Sequence, residues 1–105
     1  MSSINQMEPR VDIWENERTV FILAELPGVR LENMSLLLRS SGLELEAPRS
    51  DGTNIVYRRT LEVPKNLDGD AIDACLRSGL LRIKIPKQSV SPLRVSVTSS
   101  ERPES

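Results

Sequence analysis

No histidine occurs anywhere in the 105 residues. Its absence removes Ser-His-Asp and Cys-His catalysis together with the commonest zinc-ligand sets. Cysteine is reduced to Cys75 alone, so no internal disulfide can form and a reducing, cytoplasmic setting is expected. Aromatic residues are nearly as scarce: Trp14, Phe21 and Tyr57 are the full set, which leaves the core to Leu, Ile and Val. Charge bias is missing too. Fourteen basic against fifteen acidic side chains give a net charge of -1, and no global field draws the chain to nucleic acid or an anionic membrane. Apolar runs such as Val20–Ala24 are far too short to cross a bilayer, and Met1-Ser2-Ser3 lacks the regions of a signal peptide. No glycine-rich phosphate loop is present. A chain of this length fits one domain with one modest core. No catalytic residue, cofactor, metal, nucleic acid or membrane is expected for it.

What is there is regular punctuation. Pro27-Gly28, Ser41-Gly42, Asp51-Gly52, Asp68-Gly69, Ser78-Gly79 and Pro86 divide residues 9–87 into strand-length pieces. Between these turns apolar residues recur with period two, the mark of half-buried strands. Val11 and Ile13 share a face, as do Val20, Ile22, Ala24 and Leu26. Met34, Leu36 and Leu38 form a stripe; Leu43 and Leu45 form another against Glu44 and Glu46. Ile55, Tyr57, Leu61 and Val63 align around Arg59, Ile72, Ala74 and Leu76 oppose Asp73 and Arg77, and Leu81, Ile83 and Ile85 close the series. The pattern predicts an all-β fold, an immunoglobulin-like antiparallel β-sandwich of about seven strands. Residues 1–8 read as a short flexible arm and residues 88–105, rich in Ser and Pro, as a flexible tail. The one helical candidate, Asp68–Ala74, is too short to persuade.

Two positions break the pattern. Phe21 and Leu23 fall on the face opposite Val20, Ile22 and Ala24, where a one-sided strand would be polar. Either the amino-terminal arm (Ile4, Met7) or a partner covers them. Arg59 lies on the inward stripe of its strand, and an unpaired buried guanidinium costs several kcal/mol. It either snorkels to water at a strand edge or joins an ion pair between subunits. Other chemical candidates dissolve on inspection. Glu44 and Glu46 sit about 7 Å apart on one strand face, yet they alternate with Leu43 and Leu45 as a solvated face must. Asp12 with Glu15, and Asp68 with Asp70 and Asp73, lack the dense ligand spacing of a calcium loop. Nothing near Cys75 in sequence lowers its pKa. Arg58-Arg59 has no aromatic platform for bases.

Four segments in fixed order resemble the small heat-shock protein, or α-crystallin domain, family. Ala24-Glu25-Leu26-Pro27-Gly28-Val29 is similar to A-[DE]-L-P-G-[VL]. Tyr57–Pro64 resembles F-x-R-x-F-x-L-P, with Arg59 at the arginine. Ala74–Leu81 matches A-x-L-x-x-G-[VL]-L, and Ile83-Lys84-Ile85-Pro86-Lys87 supplies I-x-[IL]-P-K. Together they identify residues 9–87 as an α-crystallin-like domain.

The resemblance implies an ATP-independent holdase that binds unfolded or partly unfolded client proteins and assembles with itself into a dimer or small oligomer. It implies a groove, for clients or a tail strand, lined by Leu36, Leu38, Ala74 and Leu76. It further implies a V-x-V tail motif at Val95 and Val97, with Leu93-Arg94-Val95 as the other register. Phe21 and Leu23 complete an exposed apolar client face. Only residues 47–56 separate the Leu43–Leu45 strand from the Tyr57 strand, too few to carry the family's exchanged strand. The dimer is therefore expected along the Tyr57–Val63 edge, with Tyr57 and Arg59 at the interface. The runner-up reading is a dedicated interaction or assembly-factor module on the same sandwich, serving one partner without general client binding. The short arm and short loop favour it.

Overall fold

A computed structural model of the chain describes residues 4–88 together with Val97. It contains eight strands: β1 (Asn5–Met7), β2 (Val11–Glu15), β3 (Thr19–Glu25), β4 (Ser35–Arg39), β5 (Gly42–Pro48), β6 (Ile55–Leu61), β7 (Asp73–Arg77) and β8 (Leu80–Pro86). Two four-stranded sheets run in the orders β1-β6-β5-β4 and β2-β3-β8-β7. Neither the Asp68–Ala74 segment nor Leu31–Asn33 forms more than a single 3-10 turn, at Gly69–Ala71 and Leu31–Asn33 respectively.

The alternation read from the sequence becomes the inside and outside of this sandwich. Val20, Ile22, Ala24 and Leu26 meet Leu81, Ile83 and Ile85 from one sheet, and Leu43, Leu45, Ala47, Tyr57 and Leu61 from the other; all are buried. The central pair of the second sheet, β3 and β8, is in register from Thr19↔Pro86 to Glu25↔Leu80, so each buried residue of one strand opposes a buried residue of the other. Such cross-strand pairs are the unit from which a sheet gains stability.

The turns follow their residue chemistry. Pro27-Gly28 occupies the central positions of a turn closed by Val29 N–H donating to the Leu26 carbonyl (3.2 Å), with Gly28 at φ 80. That is the positive φ a type II turn requires at its second central residue. Ser78 (φ 51) and Gly79 (φ 76) form the tight link between β7 and β8, both in the left-handed region that suits the twist of a hairpin. Pro48 is the last residue of β5, where its missing N–H costs no internal ladder bond. The β5–β6 link is wider than a plain Asp51-Gly52 hairpin. Ser50 N–H donates to the Gly28 carbonyl (2.7 Å), tying the loop back onto the Pro27-Gly28 turn.

One element departs from expectation. The arm assigned to residues 1–8 is not loose over Asn5–Met7: it forms β1, which pairs in parallel with β6 through Asn5↔Ile55, Gln6↔Val56 and Met7↔Tyr57. Asn5, Gln6 and Met7 are all exposed, so backbone hydrogen bonding rather than burial holds the strand in place. A three-residue strand with a single apolar side chain, Met7, carries no periodic signal, which is why it escapes a reading based on hydropathy.

Candidate functional site

β4 and β7 each end a sheet, and each has a strand on one side only. The two borders lie on the same side of the sandwich. Leu38 of β4 reaches the 3-10 turn that leads into β7, where a Cβ on Gly69 would stand 3.2 Å from its Cδ2. Register fixes which side chains line this border. Leu36↔Leu45 and Leu38↔Leu43 put both β4 leucines on the inner face, and Ala74↔Ile83 and Leu76↔Leu81 do the same for β7. Leu36 and Leu76 pack against the core while remaining half-buried, joined by Met34 and Ile72. Leu38 is 37% exposed and Ala74 is also exposed. Inward-pointing apolar groups that stay open to water are what an unclosed sandwich border presents to an extended chain. At the Leu38 end a cavity of about 470 Å³ opens between the β4–β5 turn and residues Val63, Pro64 and Leu67.

The outer face of the second sheet is the other apolar surface. Phe21 and Leu23 are half-buried rather than freely exposed, and the described part of the arm, Ile4 to Met7, does not cover them, because β1 belongs to the opposite sheet. Trp14 of β2 stacks on Phe21, with ring centroids 5.6 Å apart and planes at 13°. Trp14 remains 47% exposed. Its alternation with Val11 and Ile13 puts it on the Phe21 side of the sheet.

The expected interface residues divide. Tyr57 is 5% exposed and its ring belongs to the core, so its side chain lies in the interior and not, as expected, at an interface. Its hydroxyl sits between the Pro27 carbonyl (3.5 Å) and the Arg49 guanidinium (3.4 Å). Arg59 is half-buried and donates from Nη1 to the Pro9 carbonyl (3.1 Å), which answers its inward position within one chain. The β6 edge is also partly taken: β1 covers Ile55–Tyr57 and leaves Arg58–Leu61 without a strand on that side among the described residues. Of the tail motif, Val95 lies outside the described residues and Val97 is exposed.

Arg49, which follows Ala47-Pro48 where the family resemblance has Gly-[EK]-Arg, closes the β5–β6 loop onto the Pro27-Gly28 turn. Its guanidinium is ion-paired to Asp51 and packs against Gly28, whose missing Cβ leaves room for Nε. Hydrogen bonds from Thr53 and Arg49 hold the Asp51 carboxyl down to about 2, and the same pairing with Asp51 raises Arg49. Cys75 is exposed on the outer face of β7. Glu44 and Glu46 are engaged by Arg39 (3.1 Å) and Arg58 (2.7 Å), as members of a surface charge lattice. Among the described residues no three Cys, Asp or Glu side chains come together as a metal site, and no helix is long and apolar enough to cross a membrane.

A two-sheet, mainly antiparallel sandwich with one apolar border left open is the class of fold that these elements define. Comparison with known proteins places it more closely. The Hsp20/alpha crystallin family model matches residues 12–98, and the chain belongs to that family, whose members are chaperones and not enzymes. It is 31% identical to small heat shock protein C4 of Rickettsia felis over 98 residues, covering 81% of this chain and 60% of that protein. It is 27% identical to a probable 15 kDa heat shock protein of Leptospira interrogans, covering 89% of this chain and 80% of that one. The chain thus spans only part of the length of these relatives. Among solved structures, a small heat-shock protein from Xylella fastidiosa superposes with a TM-score of 0.72 at 28% identity, over 90% of this chain and 100% of that one. Heat shock protein 16.0 from Schizosaccharomyces pombe shares the fold with a TM-score of 0.71 over 89% of this chain and 77% of that one.

Proposed function

We propose that this chain is an ATP-independent holdase, which binds non-native polypeptides along the β4–β7 border and on the Phe21–Leu23 face. The observation that carries the reading is the border itself: Leu36, Leu38, Ala74 and Leu76 all point inward yet remain half-buried or exposed. Residues 9–87 are the binding domain and residues 88–105 the tail, whose Val95 and Val97 occupy the border of a neighbouring copy when no client does. Assembly is reversible and small, with Arg59 and the open part of the β6 edge the proposed contact between two copies. The action is cytoplasmic, consistent with a single exposed cysteine. Supporting oligomerisation by analogy, the Xylella fastidiosa relative is described as having a distinct high order structure.

The test is suppression of aggregation of a heat-labile enzyme without nucleotide. The intact chain is expected to suppress it at stoichiometric excess, and Leu36→Asp with Leu76→Asp to lose most of that effect. An unchanged aggregation rate with the intact chain removes the holdase reading.

A second reading, a dedicated module for one partner, draws on the β5–β6 loop. That loop folds back on its own chain through Ser50 and Gly28 instead of reaching toward a neighbour. Affinity capture from extract separates the two: one stoichiometric protein favours the module, and a heat-dependent mixture favours the holdase.

A further inference from the structure

On the outer face of the second sheet, β3 and β8 set two apolar side chains beside two cations. Phe21 is directly opposite Lys84, and Leu23 directly opposite Arg82. Phe21 and Leu23 are half-buried, Lys84 and Arg82 exposed. Neighbouring strands continue each row: Trp14 and Asp73 flank the first, Asp12 and Cys75 the second. Among the described residues no carboxylate reaches ion-pair distance of Arg82 or Lys84, Asp73 included. An apolar column therefore runs beside a cationic column whose charges have no partner among the described residues.

The spacing of these columns is that of an extended polypeptide. Successive same-face residues on a strand repeat at about 7 Å, and directly opposed Cβ atoms sit about 5 Å apart. An extended segment lying along the β3–β8 seam therefore projects alternate side chains to the two columns. Apolar groups land on Phe21 and Leu23, and the residues between them land on Lys84 and Arg82. We propose that this seam selects client segments in which apolar residues alternate with Asp or Glu, so that the face discriminates among clients by charge as well as by apolarity. This rests on the holdase reading and names the class of segment it prefers. Phosphodiester or bilayer partners fit less well, because Asp12 and Asp73 interrupt the cationic field and the whole chain carries -1.

Trp14 is the only tryptophan and is stacked on Phe21, so its emission reports occupancy of the seam directly. The full chain is titrated with short Trp-free peptides alternating Val with Glu, Ser or Lys. The expected order is Glu tighter than Ser tighter than Lys; two exposed ion pairs separate neighbours in that order by roughly three- to tenfold. Arg82→Gln with Lys84→Gln flattens the series, and Arg82→Glu with Lys84→Glu reverses it. Circular dichroism verifies folding, and the glutamine variant decides the matter if the glutamate variant does not fold. Equal affinities in the wild type, or an unchanged order in the glutamine variant, overturn the proposal. So does a Trp14 response to phosphatidylcholine–phosphatidylglycerol vesicles in the absence of one to the Glu peptide. A flat series alongside intact suppression of client aggregation sinks this inference alone. A ranked series without suppression sinks the holdase reading and leaves the seam's preference standing.

Discussion

Two residues show how far a single side chain governs this sandwich. Gly42 opens β5 at φ 136, and a Cβ there would run into the carbonyl oxygen of Leu61 on β6. Backbone conformation and strand contact both forbid a side chain. Gly42→Ala is therefore expected to cost about 3 kcal/mol or more, at the upper end of single substitutions, read from denaturant unfolding; a change under about 1 kcal/mol contradicts it. Asp51 acts through charge. Its carboxyl is held down to about 2 by Thr53 and Arg49, below the unfolded value near 3.9. A depressed folded pKa gives stability that is complete above the unfolded value and is lost as pH falls toward the folded one. The difference in melting temperature between wild type and Asp51→Asn is thus expected to be widest above pH 5 and to narrow from about pH 4 to pH 2. A gap that stays constant over that range excludes the ionised carboxylate as its source.

At the scale of elements, strength and legibility go together. β8 alternates apolar with charged residues, β3 departs from alternation only at Phe21 and Leu23, and both bury every second residue, so the sequence announces them and the core depends on them. β1 does neither. Its three residues gain a few backbone hydrogen bonds worth about 0.5–1.5 kcal/mol each, against an ordering cost of about 1–2 kcal/mol per residue. Deleting residues 1–7 is therefore expected to shift the melting temperature by only a few degrees (small against the roughly 4–8 °C that a 1 kcal/mol change produces in a domain this size). The same deletion should reduce hydrogen-exchange protection at the Ile55–Tyr57 amides that face β1, and should raise self-association as the whole β6 edge becomes open. Loss of cooperative unfolding would instead make β1 part of the core. The turns were readable because Pro27-Gly28 and Ser78-Gly79 carry their own conformational demands. Period two put Tyr57 on the inward stripe of its strand, but the partners of Tyr57 and Arg49 were not readable, because they come from distant segments. The Tyr57 hydroxyl meets Pro27, thirty residues away in sequence, and Arg49 packs under Gly28. The open border was legible in part: period two assigned Leu36, Leu38, Ala74 and Leu76 to inner faces, whereas their incomplete burial follows from β4 and β7 both ending their sheets.

For the whole molecule, the governing comparison is between one contact and many. Two valines buried in a groove yield roughly 3–4 kcal/mol, while ordering the four or five tail residues that carry them costs roughly 1–2 kcal/mol each. Strand hydrogen bonds to the β4 and β7 edges would offset part of that deficit, so the proposed docking of a single tail would be weak. Several tails engaged at once act through effective concentration instead, which multiplies affinity without any new contact. Assemblies held this way dissociate steeply on dilution and release the Leu36–Leu76 border together with the tail. Native mass measurement of the full chain beside a version ending at Lys87 tests this arrangement. The full chain is expected to populate species above the dimer that fall away on dilution, and the shortened chain to stop at the dimer with its melting temperature unchanged. Val95→Ser with Val97→Ser should reproduce the shortened chain while keeping the tail's length and charge. Equal numbers of subunits in all three proteins would remove the tail from the assembly and leave the border to clients alone.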